Sequence, residues 1–585
     1  MSAKDMMQFL PSYEYIDDGV VHGVMSKFNP CTIELKKGQQ IAEGFKPLEC
    51  DMILEKDVAL KMRDGVTIYT DIYRPVGEEK VPVLISWSPY GKSAGTAPRY
   101  KVLLGKVIGI PDSTYSGLHK FEGPDPAYWC QHGYAVCNPD PRGIAHSEGD
   151  IYMLGKQEID DCCDLIEWLA EQSWCNGKVA TTGTSYLAAI QWLVASQQPP
   201  HLAAINPNEG FSDAYRDMLF RGGVRDVNFA GRIGLNHVHA GEPVKRECHM
   251  EAAKKYPLVD NDYWQEKIAH TENITCPAYV VASYSNILHT PGTFRAWRKL
   301  QQKDKWLRIH DNQEWPDYYD DRSTEDRLRF FDHFLKGIDN GWENTPTVRY
   351  ALHDFEGNNR LEIPAEEFPP KGTEYEKLYL NGGSRFLCEN PTPADIPTEY
   401  AAEDTIAWAS FLYKVEEETE IVGYPKVKLW VECDGSDDMD VMVYLYKLDK
   451  YGNKLEQFTI PNTTAHIFDN TDHGGSILKY KGSNGRLRVS ARNIDTEAST
   501  DIIPEYTFDR VEKLEKGEIV PIEISMYPMG MILYPGEQLR LVISTVDEIG
   551  SIMPGTPAEP VQNKGKHIIH SGGVYDSYLQ LPVKR

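Results

Sequence analysis

Long apolar runs, an excess of basic charge and paired cysteine spacings are all missing from this chain of 585 residues. No apolar stretch reaches the roughly 20 residues that a membrane-spanning helix needs. The segment from Met1 to Tyr15 lacks the basic and apolar regions of a signal peptide, so a cytoplasmic location and no membrane partner are expected. A formal net charge of -26 argues against nucleic acid as a partner, because phosphate backbones are bound by clustered cations. The eleven cysteines are scattered, with Cys162-Cys163 as the one close pair. That pattern gives neither a disulfide framework nor a zinc site, and the thiols read as reduced, buried small hydrophobes. His237 and His239 near Cys248 offer ligands without a matched second pair, so they read as structural. Neither a metal nor a cofactor is expected. Low-complexity sequence is absent as well, and 41% hydrophobic with 25% charged residues is the composition of an ordinary globular protein.

A chain of this length exceeds what one hydrophobic core supports, which calls for several domains. Val58 to Met62 and Thr67 to Tyr73 are β-rich runs joined through Arg63-Asp64-Gly65, a hairpin signal. Val81 to Ser86, Tyr134 to Cys137, Val179 to Thr182, Ala203 to Ile205, Ala278 to Ala282 and Trp306 to Ile309 are short, continuous and apolar. Strands of a parallel sheet, buried on both faces, look like this. Between them Ile159, Cys163, Ile166 and Ala170 repeat at helical spacing, and Leu187 to Ser196 continues a second helix. The alternation predicts a doubly wound α/β layer.

Residues 211–270 interrupt that rhythm and read as an inserted helical cap. After Phe334-Leu335-Lys336-Gly337 the texture changes to short alternating strands separated by Gly, Asp and Asn, such as Lys426 to Glu432 and Asp440 to Tyr446. That predicts an all-β sandwich or jelly roll. The expected division is an N-terminal extension over 1–52, an α/β domain over 53–210 and 271–345, the cap over 211–270, and a β domain over 346–585.

The segment Val179-Ala180-Thr181-Thr182-Gly183-Thr184-Ser185-Tyr186-Leu187-Ala188 runs from an apolar strand through Gly-x-Ser directly into a helix. This is a nucleophile elbow: the serine projects above the sheet, and the helix N-terminus aims backbone N–H groups at a developing oxyanion. Trp87-Ser88-Pro89-Tyr90-Gly91-Lys92 follows a predicted strand and places a phenol where it can reach the same oxyanion. Asp140-Pro141-Arg142-Gly143 is read as a structural buttress with an internal ion pair.

These pieces resemble the cocaine-esterase and X-prolyl dipeptidyl peptidase superfamily of α/β-hydrolases. The resemblance takes in the Asp-x-Arg-Gly segment, Ile166-Glu167-Trp168-Leu169 through Trp174-Cys175-Asn176-Gly177, the elbow, and Phe334-Leu335-Lys336-Gly337. It extends to Gly423-Tyr424-Pro425-Lys426 and Gly485-Arg486-Leu487-Arg488-Val489-Ser490, which look like that family's C-terminal jelly roll. The resemblance implies an α/β-hydrolase fold with a helical cap, a serine nucleophile at Ser185, and an oxyanion hole from the Tyr90 hydroxyl and the Tyr186 N–H.

The rest of the triad departs from the family. Where its acid is expected the chain reads Ser283-Tyr284-Ser285-Asn286, and where its histidine is expected Glu314 stands. A neutral hydroxyl is a poor nucleophile near neutral pH, so a base is still required. His289 with Glu314 as its orienter would exchange the usual positions of base and acid; His310, served by Asp311 or Glu314, is the other candidate. The expected activity is hydrolysis of an ester or amide bond of a small-molecule substrate through a Ser185 acyl-enzyme. A second possibility is a lyase, cyclase or isomerase on the same scaffold, with Ser185, Tyr90 and Glu314 handling protons. Glu209 is placed to meet a substrate amine, and a homo-oligomer is compatible with the aromatic-rich N-terminal extension.

Overall fold

The computed structural model describes residues 7–10, 28–77, 79–226, 244–404, 406, 408–462, 478–547 and 563–585. An eleven-stranded sheet forms the first layer. Its strands in chain order are β1 (Cys31–Leu35), β2 (Met52–Lys61), β3 (Thr67–Pro75), β4 (Val81–Ile85), β5 (Ala135–Asp140), β6 (Cys175–Thr184), β7 (Leu202–Asn208), β8 (Ala278–Ser283), β9 (Lys305–His310), β10 (Val348–Leu352) and β11 (Arg360–Ala365). They lie in the order β11-β10-β9-β8-β7-β6-β4-β5-β3-β2-β1. From β5 through β4, β6, β7, β8 and β9 to β10 every neighbouring pair is parallel. The β2–β3 hairpin and β11 close the edges antiparallel.

The central strands β4, β5 and β8 are buried along their whole length. Helices cover both faces of such a sheet, which explains continuous apolar runs in place of alternation. Helix α1 (Lys156–Ala170) presents Ile159, Cys162, Leu165, Ile166 and Leu169 inward, and α2 (Tyr186–Ala195) is buried on every side. Strands at both ends fall outside the span expected for this layer: β1 joins its edge before residue 53, and β10 and β11 extend it past 345. The run Val348–Leu352 is a short apolar segment whose texture does not reveal which sheet it joins.

Between β7 and β8 the described residues form short elements rather than a wholly helical cap. A π-turn over Ala214–Leu219 leads into paired strands Phe220–Arg221 and Val224–Arg225, and later come helices His249–Lys255 and Asp262–Gln265. Strand Val244–Glu247 pairs antiparallel with Met7–Leu10, so part of the N-terminal extension docks on its own chain. His237 and His239 lie outside the described residues. The later part of the chain is all-β, a large and mostly antiparallel array in which Lys426–Asp434, Asp440–Leu448 and Gln538–Ser544 are among the longer strands.

Two buried ion clusters brace the first layer. Arg142 bonds bidentately to Asp161 on α1 at 2.7 and 2.8 Å and reaches Asp64 in the β2–β3 turn at 2.8 Å. The buttress expected of the Asp-Pro-Arg-Gly segment therefore finds its partners elsewhere in the chain and not in Asp140. Lys92 is buried against Asp57 and Asp71, and these carboxylates outweigh burial and hold its ammonium charged. No helix among the described residues is long and apolar enough to cross a membrane.

Candidate active site

The turn from β6 into α2 puts Ser185 at φ 62° and ψ -118°, a strained conformation for a side-chain-bearing residue. The elbow is tight: a Cβ on Gly183, whose φ is +142°, would stand 2.5 Å from Leu187 Cβ and 3.0 Å from the Glu122 carbonyl. Only glycine fits two residues before the serine. The Ser185 N–H is tied to the carbonyls of Asn208 and Glu209 at the end of β7, at 3.2 and 3.0 Å. Tyr186 is the first residue of α2, where an N–H has no acceptor within the helix. Its ring is fixed by a 2.7 Å bond from its hydroxyl to Glu158, which also accepts from Trp87 Nε1 at 2.8 Å.

Tyr90 follows β4 and is 6 % exposed. Its hydroxyl faces the Ser185 side chain and the Glu122 carboxyl. Burial, then the Glu122 charge, pushes the phenol well above its ordinary range, so it remains protonated and able to donate. Around it stand Phe121, Tyr186 and Tyr100, with ring centroids at 5.5, 6.1 and 6.4 Å. The resulting wall is aromatic.

His289 Nε2 lies 3.0 Å from Ser185 Oγ. His289 immediately precedes the helix Thr290–Lys299 that follows β8, and its ring stacks on Phe211 at 6.1 Å and 16°. Asn286 builds the intervening loop: its Oδ1 accepts from the N–H groups of Leu288 and His289 at 3.1 Å, while its Nδ2 donates to Glu314 Oε2. One amide, standing where a family acid is expected, thus anchors the segments carrying His289 and Glu314.

Glu314 approaches His289 Nε2 to 3.6 Å. The carboxyl therefore sits at the nitrogen that faces the serine, and His289 Nδ1 has no partner among the described residues. This corrects the orienting role expected of Glu314, which requires contact with the opposite nitrogen. Burial first, then the charges of Glu209 and Glu122, push the Glu314 carboxyl well above the usual range. Burial lowers His289 to about 3. Burial thus disfavours the charged form of both partners.

His310 is not brought to the serine, a second correction. From the end of β9 its Nε2 lies 2.6 Å from Glu209 Oε1, in an ion-pair contact away from the bond axis, and 3.8 Å from Asp317. Glu209 also accepts from Ser283 Oγ at 3.1 Å, so it is engaged inside the protein and not set out for a ligand. Burial disfavours the His310 cation, but Asp317 and Glu209 outweigh it and raise the imidazole. Asp311 is turned away, accepting from Asn359 at 2.7 Å. His310 and Glu314 are four residues apart in sequence, and only the start of the short helix Glu314–Tyr318 turns Glu314 inward.

The β domain reaches both loops. The Tyr527 hydroxyl donates to the Ile287 carbonyl at 2.8 Å, beside the His289 segment, and the Gln313 N–H donates to the Thr459 carbonyl at 2.7 Å, beside Glu314. Sequence reading missed Glu122 and gave no role to Asn286, which it saw only as standing where an acid was expected. Glu122 sits in a stretch without strand or helix periodicity, and its only signal was its place in the long segment between two predicted strands.

Comparison with known proteins agrees with this architecture. Residues 64–313 match the model of the X-Pro dipeptidyl-peptidase (S15 family), and residues 340–580 match that of the X-Pro dipeptidyl-peptidase C-terminal non-catalytic domain. A solved CocE/NonD family hydrolase from Staphylococcus aureus is 33% identical with a TM-score of 0.85, covering 96% of this chain and 98% of that one. A cocaine esterase from Rhodococcus sp. is 33% identical over 160 residues, which is 27% of this chain and 24% of that enzyme. A putative serine esterase of Mycobacterium bovis is 22% identical, over 89% of this chain and 94% of its own length.

Proposed function

Because the chain belongs to the CocE/NonD family of hydrolases, we propose that it cleaves an ester or amide bond of a small acyl substrate through a Ser185 acyl-enzyme. The observation that carries this reading is the 3.0 Å contact between His289 Nε2 and Ser185 Oγ on a nucleophile elbow. His289 accepts the serine proton as Oγ attacks the carbonyl carbon. The Tyr90 hydroxyl and the Tyr186 N–H stabilise the oxyanion. Collapse of the tetrahedral intermediate expels the leaving group, which takes the proton back from His289. Water then adds to the acyl-enzyme by the same steps in reverse roles.

Glu314 acts on the same edge of the imidazole as the serine. Once Nε2 carries the serine proton, a Glu314 carboxyl oxygen stands 3.6 Å away and presents its partial negative charge to the imidazolium, with no proton leaving Glu314. The low resting basicity of His289 means that the serine proton moves only as the oxyanion forms. The relatives are esterases and peptidases by name, so the lyase, cyclase or isomerase alternative is not favoured. The enclosed setting supports a small substrate: Ser185 is 9 % and His289 2 % exposed, behind aromatic side chains.

A fluorophosphonate probe tests this directly. Stoichiometric covalent labelling mapped to Ser185, lost in Ser185→Ala, is the expected result. An unlabelled protein that still turns over p-nitrophenyl esters would exclude Ser185 as the nucleophile.

A further inference from the structure

The phenol of the proposed oxyanion hole touches a carboxyl group that the mechanism above leaves unused, and the form of that carboxyl decides where the phenol proton points. Glu122 is 2 % exposed with φ at +67°. Its backbone is stapled to the elbow: the carbonyl accepts from Thr184 N–H at 3.1 Å, and the N–H donates to the Tyr319 hydroxyl oxygen at 2.9 Å. Its Oε1 accepts from Trp315 Nε1 at 2.9 Å, and Oε2 forms no further well-aligned bond among the described residues. The Tyr90 hydroxyl lies against this carboxyl. The titratable groups facing it are Tyr90, Tyr318, Tyr319 and Glu314, and none of them is a cation.

An ionised carboxylate only accepts hydrogen bonds. In that form Glu122 would capture the single phenol proton and would stand as a negative charge beside the oxyanion that Tyr90 has to stabilise. A carboxylic acid does the opposite: it donates to the phenol oxygen and leaves the phenol proton free to turn toward the substrate. Aligned donors of this kind polarise one another. On the reading of Ser185 and Tyr90 given above, we propose that Glu122 is a positioning residue of the oxyanion hole, a carboxylic acid whose proton bonds to the Tyr90 oxygen and directs the Tyr90 proton to the acyl oxygen. Burial pushes the carboxyl up to about 8, outweighing the Trp315 and Tyr90 contacts that favour its ionised form. The acid form prevails below that value and the donor chain is lost above it.

The probe reaction is hydrolysis of p-nitrophenyl butyrate by the full chain, with kcat followed across the alkaline range. The parent is expected to lose about tenfold in kcat per pH unit above about 8. Glu122→Gln keeps an acceptor for Trp315 and a neutral donor for Tyr90, so its profile should stay flat where the parent falls. Tyr90→Phe, with Glu122 intact, should be slow and equally flat, because Glu122 acts only through the phenol. This second variant decides the matter if Glu122→Gln does not fold. Lys120, buried and lowered by burial to about 8, titrates in the same range while donating to the Ser88 and Pro139 carbonyls. An alkaline limb surviving in either variant would belong to such a group and would overturn the proposal. Fluorophosphonate labelling of Ser185 at neutral pH separates the two levels: labelling with a surviving limb removes only the role of Glu122, whereas absence of labelling removes the nucleophile reading beneath it.

Discussion

Replacing each histidine by asparagine separates the two imidazoles that the fold buries within one polar cluster. His289→Asn takes the base from Ser185, and general-base removal slows a reaction by about 10² to 10⁴, or about 3 to 5.5 kcal/mol in the barrier. The loss falls on kcat, since His289 holds a proton and not a substrate group. Its cost to folding is small, because among the described residues the His289 side chain has one hydrogen bond, to Ser185, and its Nδ1 has none. His310→Asn has the reverse signature. It leaves Glu209 without the imidazole 2.6 Å away, in a setting where both groups are buried. Breaking a buried pair from one side costs about 3 to 5 kcal/mol of stability. Hydrolysis of p-nitrophenyl butyrate, the rate of fluorophosphonate labelling and the urea midpoint, taken on both variants, give the full comparison. If His310→Asn abolished labelling while His289→Asn labelled at the parental rate, the assignment of the base would be refuted.

Glu314→Gln should lower kcat with little effect on KM, and His289→Asn combined with it should be scarcely slower than His289→Asn alone, because both act on one proton; additive losses would separate them. On the acid side, kcat/KM should show no histidine limb near the ordinary imidazole value of about 6.5, since burial holds His289 near 3 and the base stays free until the pH approaches that value. Stability should carry the mark of each ring: His119 and His289 are depressed to about 3 and His567 to about 4, so each takes up its proton first in the unfolded chain below about pH 6.5, while the raised Glu122 and Glu314 carboxyls act in the opposite sense, and the urea midpoint of His567→Asn should gain on the parent's between neutral pH and about pH 5. A midpoint difference between parent and His567→Asn that stayed constant over this range would contradict the depressed basicity of that ring. Arg142→Ala should cost about 3 to 5 kcal/mol by leaving Asp161 buried and unpaired, with turnover per folded molecule retained; a loss of turnover without loss of stability would place Arg142 in the chemistry.

The Tyr527 and Gln313 contacts give the β domain a part in the site, because its atoms fix the two loops that follow β8 and β9. Those loops lead into the helices that begin just after His289 and at Glu314. Asn286 works at shorter range by joining the two loops to each other. A base and an acid that have traded strands can therefore still meet at one serine, since an amide supplies the crossing point between them.

The sequence alone determined the sheet and the elbow. Buried parallel strands are continuous apolar runs, and a strand, Gly-x-Ser and a helix in direct succession allow one local geometry, so Ser185, the Tyr186 N–H and the positions of the central strands along the chain could be read from residue types. The divergence of the triad was legible too, because a missing acid and a glutamate in place of a histidine are visible as letters. What the letters left open was which histidine reaches the serine. His289 and His310 both stand near the ends of neighbouring strands, and their side chains are sorted by loop shape: Asn286 turns the first toward Ser185, while Glu209, just past β7, claims the second. The edge of the imidazole that Glu314 meets, and the burial that disfavours charge on both groups, depend on atoms brought together from segments far apart in sequence. The same holds for Glu122. Nothing in its local sequence marks it, and only packing of the long segment after β4 against the elbow sets its carboxyl beside Tyr90.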